Sequence, residues 1–311
     1  MNPLKIKDNF LFLAMLAFVF VSSTALALSR SFDTTLLYSN VVKREEKKFP
    51  SNPVPLLNSP FPILSAQGVM AVDLISGVPL YEKNADQRFL PASTTKIITA
   101  LVALDSYPLD QVLTVGVGVK VIGQKMGLFK GEQIKVEDLL YGLLVYSAND
   151  AALVLAQNYD GGYDNFIVAM NTKAKKLSLT NSHFDNPVGL DTNDQYATAR
   201  DLVRASEVAM RDPVFARMVG TKQITFKDVS GKFSYNLRNI NELLGNVPGV
   251  MGVKTGWTEN ARENLVTYIE RDNHKVMIAV LGSQDRFGET KELIDWIFTN
   301  YEWQEVNPYS P

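Results

Sequence analysis

The chain has 311 residues, 46% hydrophobic and 21% charged, enough to bury one sizeable core but too few for several large domains. It contains no cysteine, which excludes a thiol nucleophile, a Cys-ligated zinc or iron–sulfur site and a disulfide framework. Its two histidines, His183 and His274, do not stand at metal-ligand spacing, and Lys+Arg 31 against Asp+Glu 33 gives a net charge of -2 without a long basic run, so neither a metal site nor a nucleic-acid partner is expected.

Lys5 and Lys7 precede the apolar run Phe10 to Val21 and the small-residue stretch Ser22-Ser23-Thr24-Ala25-Leu26-Ala27. Residues 1–28 therefore read either as a signal peptide cut after Ala27 or as a retained anchor, since about 20 apolar residues span a bilayer. Both readings keep the lysines in the cytoplasm and deliver the remainder outside, with membrane contact only through the N-terminal segment. Residues 29–60 join the mixed-charge run Lys43-Arg44-Glu45-Glu46-Lys47-Lys48 to Pro50, Pro53, Pro55 and Pro60, which predicts a flexible tether. A single domain is expected over 61–303, followed by a short tail, 304–311.

Globular patterning is established from Gly68. Gly68 to Asp73 and Val78 to Tyr81 flank Ile75-Ser76-Gly77 and predict a β-hairpin. Apolar residues at helical spacing predict helices over Thr95–Leu104, Val136–Val145, Asp150–Gln157, Tyr163–Leu177 and Thr198–Met210. Strands are expected at Gln223–Phe226, Val250–Lys254, Asn264–Ile269 and Lys275–Leu281, the last two joined by Arg271-Asp272-Asn273-His274. The amphipathic run Glu289–Phe298 predicts a closing helix. Strands at both ends with helices between them predict an α/β (α+β) domain: one antiparallel sheet built from both ends of the domain, flanked by helices, with an inserted helical lobe.

Three short motifs carry chemistry. In Pro91-Ala92-Ser93-Thr94-Thr95-Lys96, a helix starting here puts Ser93 and Lys96 on one face, so that an amine reaches a hydroxyl. The alternative is that Ser93 caps the helix, and a Ser-x-x-Lys arises about once by chance in a chain this long. Against capping, a lysine in a first helical turn faces the positive end of the macrodipole, and the following Ile97-Ile98-Thr99-Ala100-Leu101-Val102-Ala103-Leu104 is apolar on nearly every face. Burial and the dipole both lower the Lys96 pKa, towards a neutral amine able to act as a base near pH 7. In Tyr146-Ser147-Ala148-Asn149-Asp150, joint use of Ser147 and Asn149 requires a loop, because a continuous helix points them apart. There the alternative is Asn149 or Asp150 as an N-cap for the next helix. In Val253-Lys254-Thr255-Gly256-Trp257-Thr258, Gly256 lets another backbone approach the strand, and Lys254 with Thr255 offers a cation and a hydroxyl suited to a carboxylate, against the alternative of a surface turn.

In this order, Ser93-x-x-Lys96, Ser147-x-Asn149 and Lys254-Thr255-Gly256 resemble the signature motifs of penicillin-recognising serine acyl-transferases. With Leu139 to Leu144, Phe184 to Leu190 and Thr198 to Leu202, the resemblance narrows to the low-molecular-mass D-alanyl-D-alanine carboxypeptidases, the peptidase S11-like penicillin-binding proteins, over roughly residues 65 to 300. It implies a β-lactamase/transpeptidase-like fold and an exported, extracytoplasmic enzyme without a cofactor. The implied substrate is the peptidoglycan stem peptide ending in D-Ala-D-Ala, and the implied inhibitors are β-lactams. By the same resemblance Ser93 is the nucleophile, Lys96 takes its proton and Ser147 relays a proton to the departing D-alanine. Asn149 holds the substrate amide, and the backbone N–H groups of Ser93 and Trp257 form the oxyanion hole. Lys254 and Thr255 lie by the terminal carboxylate, extended substrate pairs with the strand through Gly256 and Trp257, and Arg286 is a further carboxylate-binding residue.

Ala148, Trp257 and Arg262-Glu263 depart from the family pattern and bear on specificity. A D,D-endopeptidase acting on cross-links would use the same constellation. A β-lactamase would need a glutamate to activate water, and none occurs between Glu137 and Glu207. A non-catalytic wall-binding module would not be expected to keep all three motifs. Asn186-Pro187 reads as turn chemistry, Thr198 with Asp201 as a helix cap, and both histidines as structural or solvent-exposed.

Overall fold

The computed structural model describes residues 51–56, 60–116 and 121–305. The signal or anchor segment, the charged part of the expected tether and residues 306–311 lie outside the described residues. The elements begin with β1 (Asn52–Pro55), β2 (Gly68–Asp73) and β3 (Pro79–Lys83), then a 3-10 turn (Ala92–Thr95) running into α1 (Lys96–Ser106). The lobe continues with β4 (Val112–Thr114), β5 (Gln133–Lys135), α2 (Val136–Val145), α3 (Asn149–Gln157), α4 (Gly162–Lys176), α5 (Ala199–Met210) and α6 (Pro213–Val219). The chain closes through β6 (Gln223–Lys227), β7 (Ser234–Arg238), β8 (Val250–Thr258), β9 (Arg262–Arg271), β10 (His274–Ser283), α7 (Arg286–Asn300) and β11 (Tyr301–Gln304).

The main sheet has the order β3-β2-β10-β9-β8 and is antiparallel throughout, so both ends of the domain contribute to it as expected. Two of its hairpins follow from local chemistry. Between β2 and β3 the Asp73 carboxylate accepts from the Ser76 N–H (2.7 Å) and hydroxyl (2.6 Å), while Gly77 takes φ +74°. Between β9 and β10 the two turn residues Asp272 and Asn273 both take positive φ, 50° and 65°, the geometry whose twist matches paired strands.

One face of the sheet is covered by α7, with Leu293, Ile294 and Ile297 against Leu265, Ile269, Val276, Ile278 and Val280. The other face meets α5 and, beyond it, the helical lobe, whose buried residues form one continuous core with Val253, Val266, Met277 and Ala279. Within that core α1 is buried from Lys96 to Ala103, so it runs through the interior. Strand β8 is the edge strand of the main sheet, with its free edge beside the 3-10 turn that carries Ser93.

The structure corrects the boundary of the tether. Residues 52–55, expected to be flexible, form β1 and pair antiparallel with β11, Pro53 opposite Trp303 and Val54 opposite Glu302. Proline is tolerated here because the pair has two strands only, and each strand can turn its donor-free positions outward. The following stretch is also held: the Pro60 carbonyl accepts from Trp296 Nε1 at 2.7 Å, and Phe61 packs its ring against Tyr81 and Trp296. Three pieces had no counterpart in the sequence expectations: the β4–β5 pair, α6, and β7 as the partner of β6.

Candidate active site

The Ser93 motif is built by a tight turn. Ala92 takes φ +47°, and the Thr94 hydroxyl donates to the Pro91 carbonyl at 2.6 Å, so that α1 begins at Lys96. No side-chain cap hydrogen bond forms at this start, so Ser93 is not the helix cap. Two backbones press on the turn where only glycine fits. A Cβ at Gly189 would lie 1.9 Å from the Ala92 carbonyl oxygen, and one at Gly256 would lie 3.1 Å from both the Pro91 oxygen and the Ser93 nitrogen. Gly256 thus brings β8 against Ser93, a close backbone approach of the kind a glycine in this strand allows.

Lys96 is completely buried. Its Nζ lies 2.9 Å from Ser93 Oγ, 2.8 Å from Asn149 Oδ1 and 2.5 Å from the Val188 carbonyl oxygen. Burial, and next the neighbouring Lys254 ammonium, push its pKa well below the ordinary lysine value. A neutral amine has two N–H groups and one lone pair. The Asn149 and Val188 oxygens can only accept, so they take the two N–H groups and leave the lone pair facing the Ser93 hydroxyl.

Asn149 and Ser147 sit on the loop that the sequence requires. Ser147 takes φ +61°, Ala148 is extended, and α3 starts at Asn149 with Ala148 as its N-cap, so neither Asn149 nor Asp150 caps the helix. Asn149 Nδ2 donates to the Ile122 carbonyl at 2.7 Å, which fixes the amide with its oxygen on Lys96. Asp150 holds the loop in front of the site: its carboxylate accepts from the N–H groups of Met126 (3.0 Å), Gly127 (2.7 Å) and Leu128 (3.0 Å). The left-handed φ at Ser147 costs on the order of 1–3 kcal/mol, and it turns that hydroxyl towards the sheet.

There Lys254 Nζ donates to Ser147 Oγ at 2.9 Å and to the Thr255 carbonyl at 3.0 Å. Lys254 is buried, and burial, followed by the Arg286 guanidinium, lowers its pKa to about 7. Thr255 is also buried, and its hydroxyl has no hydrogen-bond partner among the described residues. Arg286, the first residue of α7, reaches back over the sheet so that Nη1 donates to the Gly256 carbonyl at 3.0 Å, with Glu263 3.9 Å away. Trp257 is 62% exposed at the rim.

The nine residues singled out from the sequence therefore converge on one cleft between the edge of β8 and the start of α1. The sequence reading did not find the Val188 carbonyl, the Ile122 carbonyl or the Asp150 carboxylate. Only the first had a signal: the Asn186-Pro187 turn. There Asn186 Oδ1 accepts from the N–H groups of Val188 (3.3 Å), Gly189 (2.8 Å) and Leu190 (3.0 Å), which aims the Val188 carbonyl at Lys96. Thr198 caps α5 by accepting from the Asp201 N–H at 3.0 Å, and His274 stacks on Trp303 at 4.2 Å. Among the described residues no cluster of His, Cys, Asp or Glu has the makings of a metal site.

A family model for Peptidase S11, D-alanyl-D-alanine carboxypeptidase, matches residues 57–285. The chain belongs to the D-alanyl-D-alanine carboxypeptidase family. It is 31% identical over 246 residues to the D-alanyl-D-alanine carboxypeptidase DacF of Bacillus subtilis, a match covering 76% of this chain and 63% of that protein. It is 33% identical over 245 residues to a D-alanyl-D-alanine endopeptidase of Pseudomonas aeruginosa, covering 76% of this chain and 78% of that one. The fold matches the crystal structure of the Streptomyces K15 DD-transpeptidase with a TM-score of 0.73 and 33% identity, over 77% of this chain and 99% of the other. The chain spans 63% and 65% of the length of the first two curated carboxypeptidases it matches, less than two thirds. The penicillin-binding DD-peptidase fold expected from the three motifs is thus the observed one.

Proposed function

We propose that this family member is a serine D-alanyl-D-alanine carboxypeptidase, exported by its N-terminal segment, which removes the terminal D-alanine of peptidoglycan stem peptides through a Ser93 acyl-enzyme. The observation that carries the reading is the buried lysine of lowered pKa, with its nitrogen 2.9 Å from a serine hydroxyl and its other neighbours all acceptors. Neutral Lys96 takes the Ser93 proton as Ser93 Oγ bonds to the carbonyl carbon of the penultimate D-alanine. The developing oxyanion is held by the Ser93 and Trp257 backbone N–H groups, each such donor contributing about 3 kcal/mol in the transition state.

Collapse of the tetrahedral species breaks the C–N bond, and the leaving amine needs the proton that Lys96 took. Ser147, held by Lys254, relays it. Thr255, with its unpartnered hydroxyl, and Arg286 receive the terminal carboxylate, while Lys254 supplies positive charge behind them. Asn149 has one amide hydrogen beyond its bond to Ile122, which is available to the substrate amide. Water then hydrolyses the ester and restores Ser93. The absence of a glutamate between Glu137 and Glu207 makes this second step slow for penicillin, so β-lactams act as inhibitors.

Incubation with a pentapeptide ending in D-Ala-D-Ala tests the reading: free D-alanine is released, fluorescent penicillin labels the protein, and Ser93→Ala abolishes both. Rapid turnover of benzylpenicillin, or labelling that survives Ser93→Ala, would overturn it.

A further inference from the structure

The proposed oxyanion hole draws its two N–H groups from separate pieces of chain, Ser93 on the 3-10 turn and Trp257 near the end of β8, so their spacing depends on how those pieces are held together. Two glycines set the contact on either side of the turn: a Cβ at Gly189 would lie 3.0 Å from the Ser93 nitrogen, and one at Gly256 would lie 3.1 Å from it. The segment that carries Gly189 is fixed from behind. Beyond the three N–H groups that Asn186 Oδ1 accepts, Asn186 Nδ2 donates to the Leu190 carbonyl at 2.9 Å, and Gln195 Oε1 accepts from the N–H groups of Asp185 (2.9 Å) and Asn186 (3.1 Å). The Thr99 hydroxyl donates to the Pro187 carbonyl at 2.7 Å, which ties the same segment to α1. The piece that carries Trp257 is held less well. Gly256 is fixed by Arg286 and by the ladder with β9, but that ladder ends at Thr258 opposite Arg262, where the hairpin tip begins.

Asp191 crosses from one piece to the other. It follows Gly189 by two positions, as Thr258 follows Gly256 by two. Its Oδ1 accepts from the Thr258 hydroxyl at 2.8 Å and its Oδ2 from Asn260 Nδ2 at 3.2 Å. The Thr258 oxygen in turn accepts from the Ala261 N–H at 3.0 Å, so one hydroxyl both closes the hairpin tip and binds it to Asp191. Among the described residues no other side chain from outside the hairpin hydrogen-bonds to residues 258–261. A closed ring results: the Ser93 turn, Gly189, Asp191, Thr258, Gly256 and the Ser93 turn again. The tip needs an acceptor at both oxygens, which a carboxylate provides and an amide does not. Hydrogen bonds to an ionised acceptor are also about twice as strong as neutral ones, which suits a tie between two loops.

We infer that Asp191 is a positioning residue for acyl transfer: it clamps the end of β8 to the segment over the Ser93 turn and so holds the Trp257 N–H at the spacing from the Ser93 N–H that the developing oxyanion requires. The inference rests on the proposed serine D,D-peptidase activity and adds a residue to its machinery. Asp191 touches neither the nucleophile nor its base, and it acts through Thr258. Without the clamp, Lys96 still faces the Ser93 hydroxyl, and Thr255, Gly256 and Arg286 stay where the ladder and the Gly256 carbonyl hold them. Only the Trp257 donor loses its aim. The oxyanion forms in the transition state and not in the bound substrate, so the loss falls on the rate of bond formation and spares ground-state binding.

The test uses the full chain with Asp191→Ala, Thr258→Val, the two combined, and Thr258→Ser. Labelling by fluorescent penicillin is resolved into its maximal rate and its half-saturating concentration, and binding of a peptide boronic acid, whose adduct with Ser93 is tetrahedral and anionic, is measured beside it. Asp191→Ala and Thr258→Val are each expected to lower the maximal rate about tenfold, with the half-saturating concentration within about twofold of the parent and boronic acid affinity falling in step with the rate. The combined variant should be no more than about twofold slower than either single one, because both break the same tie. Thr258→Ser, which keeps the hydroxyl, should recover the rate to within about threefold of the parent. Should Asp191→Ala fail to fold, Thr258→Val and Thr258→Ser decide by the same measures. Single variants within twofold of the parent rate, whatever their melting temperatures, would overturn the inference. So would a loss confined to the half-saturating concentration, losses that multiply in the combined variant, or boronic acid affinity that does not follow the rate. A parent that is neither labelled by penicillin nor able to release D-alanine would overturn the proposed activity itself.

Discussion

Asn149→Asp isolates the requirement that Lys96 be neutral. The substitution keeps the shape of the side chain but places a carboxylate oxygen 2.8 Å from the buried Lys96 nitrogen. At an effective dielectric of about 20, opposite charges at that distance attract by about 6 kcal/mol. Burying the new carboxylate, whose second oxygen then faces the Ile122 carbonyl in place of an N–H donor, offsets part of this. If half survives, about 3 kcal/mol favours the protonated lysine, a factor of about a hundred that lowers the neutral fraction in full below the parent's Lys96 pKa and by less above it. The assay is the second-order rate of labelling by a fluorescent penicillin between pH 6 and 10. Asn149→Asp should have its acid limb displaced to higher pH, labelling up to about a hundredfold more slowly than the parent on that limb and recovering as pH rises. Asn149→Ala, which loses the same bond to Ile122 without adding charge, should be slower by about tenfold with no alkaline recovery. An acid limb of Asn149→Asp that coincides with the parent's, or two variants with the same pH profile, would refute Lys96 as the base.

Lys254→Gln removes the second cause of the lowered Lys96 pKa, so the acid limb of the acylation profile should move to higher pH; a limb that stays in place would separate the two lysines electrostatically. Gly256→Ala puts a methyl group 3.1 Å from the Pro91 oxygen and the Ser93 nitrogen, both main-chain atoms that cannot rotate away, and displacing them should slow labelling about a hundredfold, whereas a loss under threefold would mean the turn relaxes freely. Trp303→Ala removes the ring stacked on His274 at 4.2 Å and the Nε1 donor to Asp73 at 3.1 Å, and should cost about 2–3 kcal/mol in urea unfolding with kcat unchanged; a cost below about 0.5 kcal/mol would make the β1–β11 pair an ornament of the surface.

The sheet, the lobe helices and the three motifs were legible because each has a local cause. The apolar run after Lys96 dictates an interior helix, the apolar runs on either side of Asp272-Asn273 dictate the last hairpin, and Gly256 marks a close backbone approach. What stayed hidden lacks a local cause. Every residue offers a carbonyl, so nothing in the sequence distinguishes Val188 or Ile122 as a partner of the site. The Asp150 carboxylate finds its donors 22 to 24 positions earlier, in a segment without periodicity. β1 was misread because its prolines are a correct signal for a break in regular structure, and the pairing that overrides it comes from β11, almost the whole domain away.

In the proposed mechanism the two lysines divide the acid–base work, and the division lies in their surroundings rather than in their identity. Lys96 lies inside the lobe core, where burial acts first and the positive Lys254 adds to it, and two fixed oxygens engage its N–H groups. Lys254 lies on the edge strand beside a guanidinium, is held near a pKa of about 7, and has a serine hydroxyl and one carbonyl as acceptors. Environments that push two like groups apart assign one as base and the other as donor. The proposed proton path is then directional: out of Ser93 to Lys96, and back to the leaving amine along the Ser147 side, where Lys254 donates to the relay hydroxyl. A substitution that removes only the relay hydroxyl, Ser147→Ala, should then slow expulsion of the amine more than attack. Release of D-alanine should fall by more than the rate of penicillin labelling, in which ring strain helps break the C–N bond and the protonated nitrogen stays tethered, and equal losses in the two assays would place Ser147 on the attack side instead.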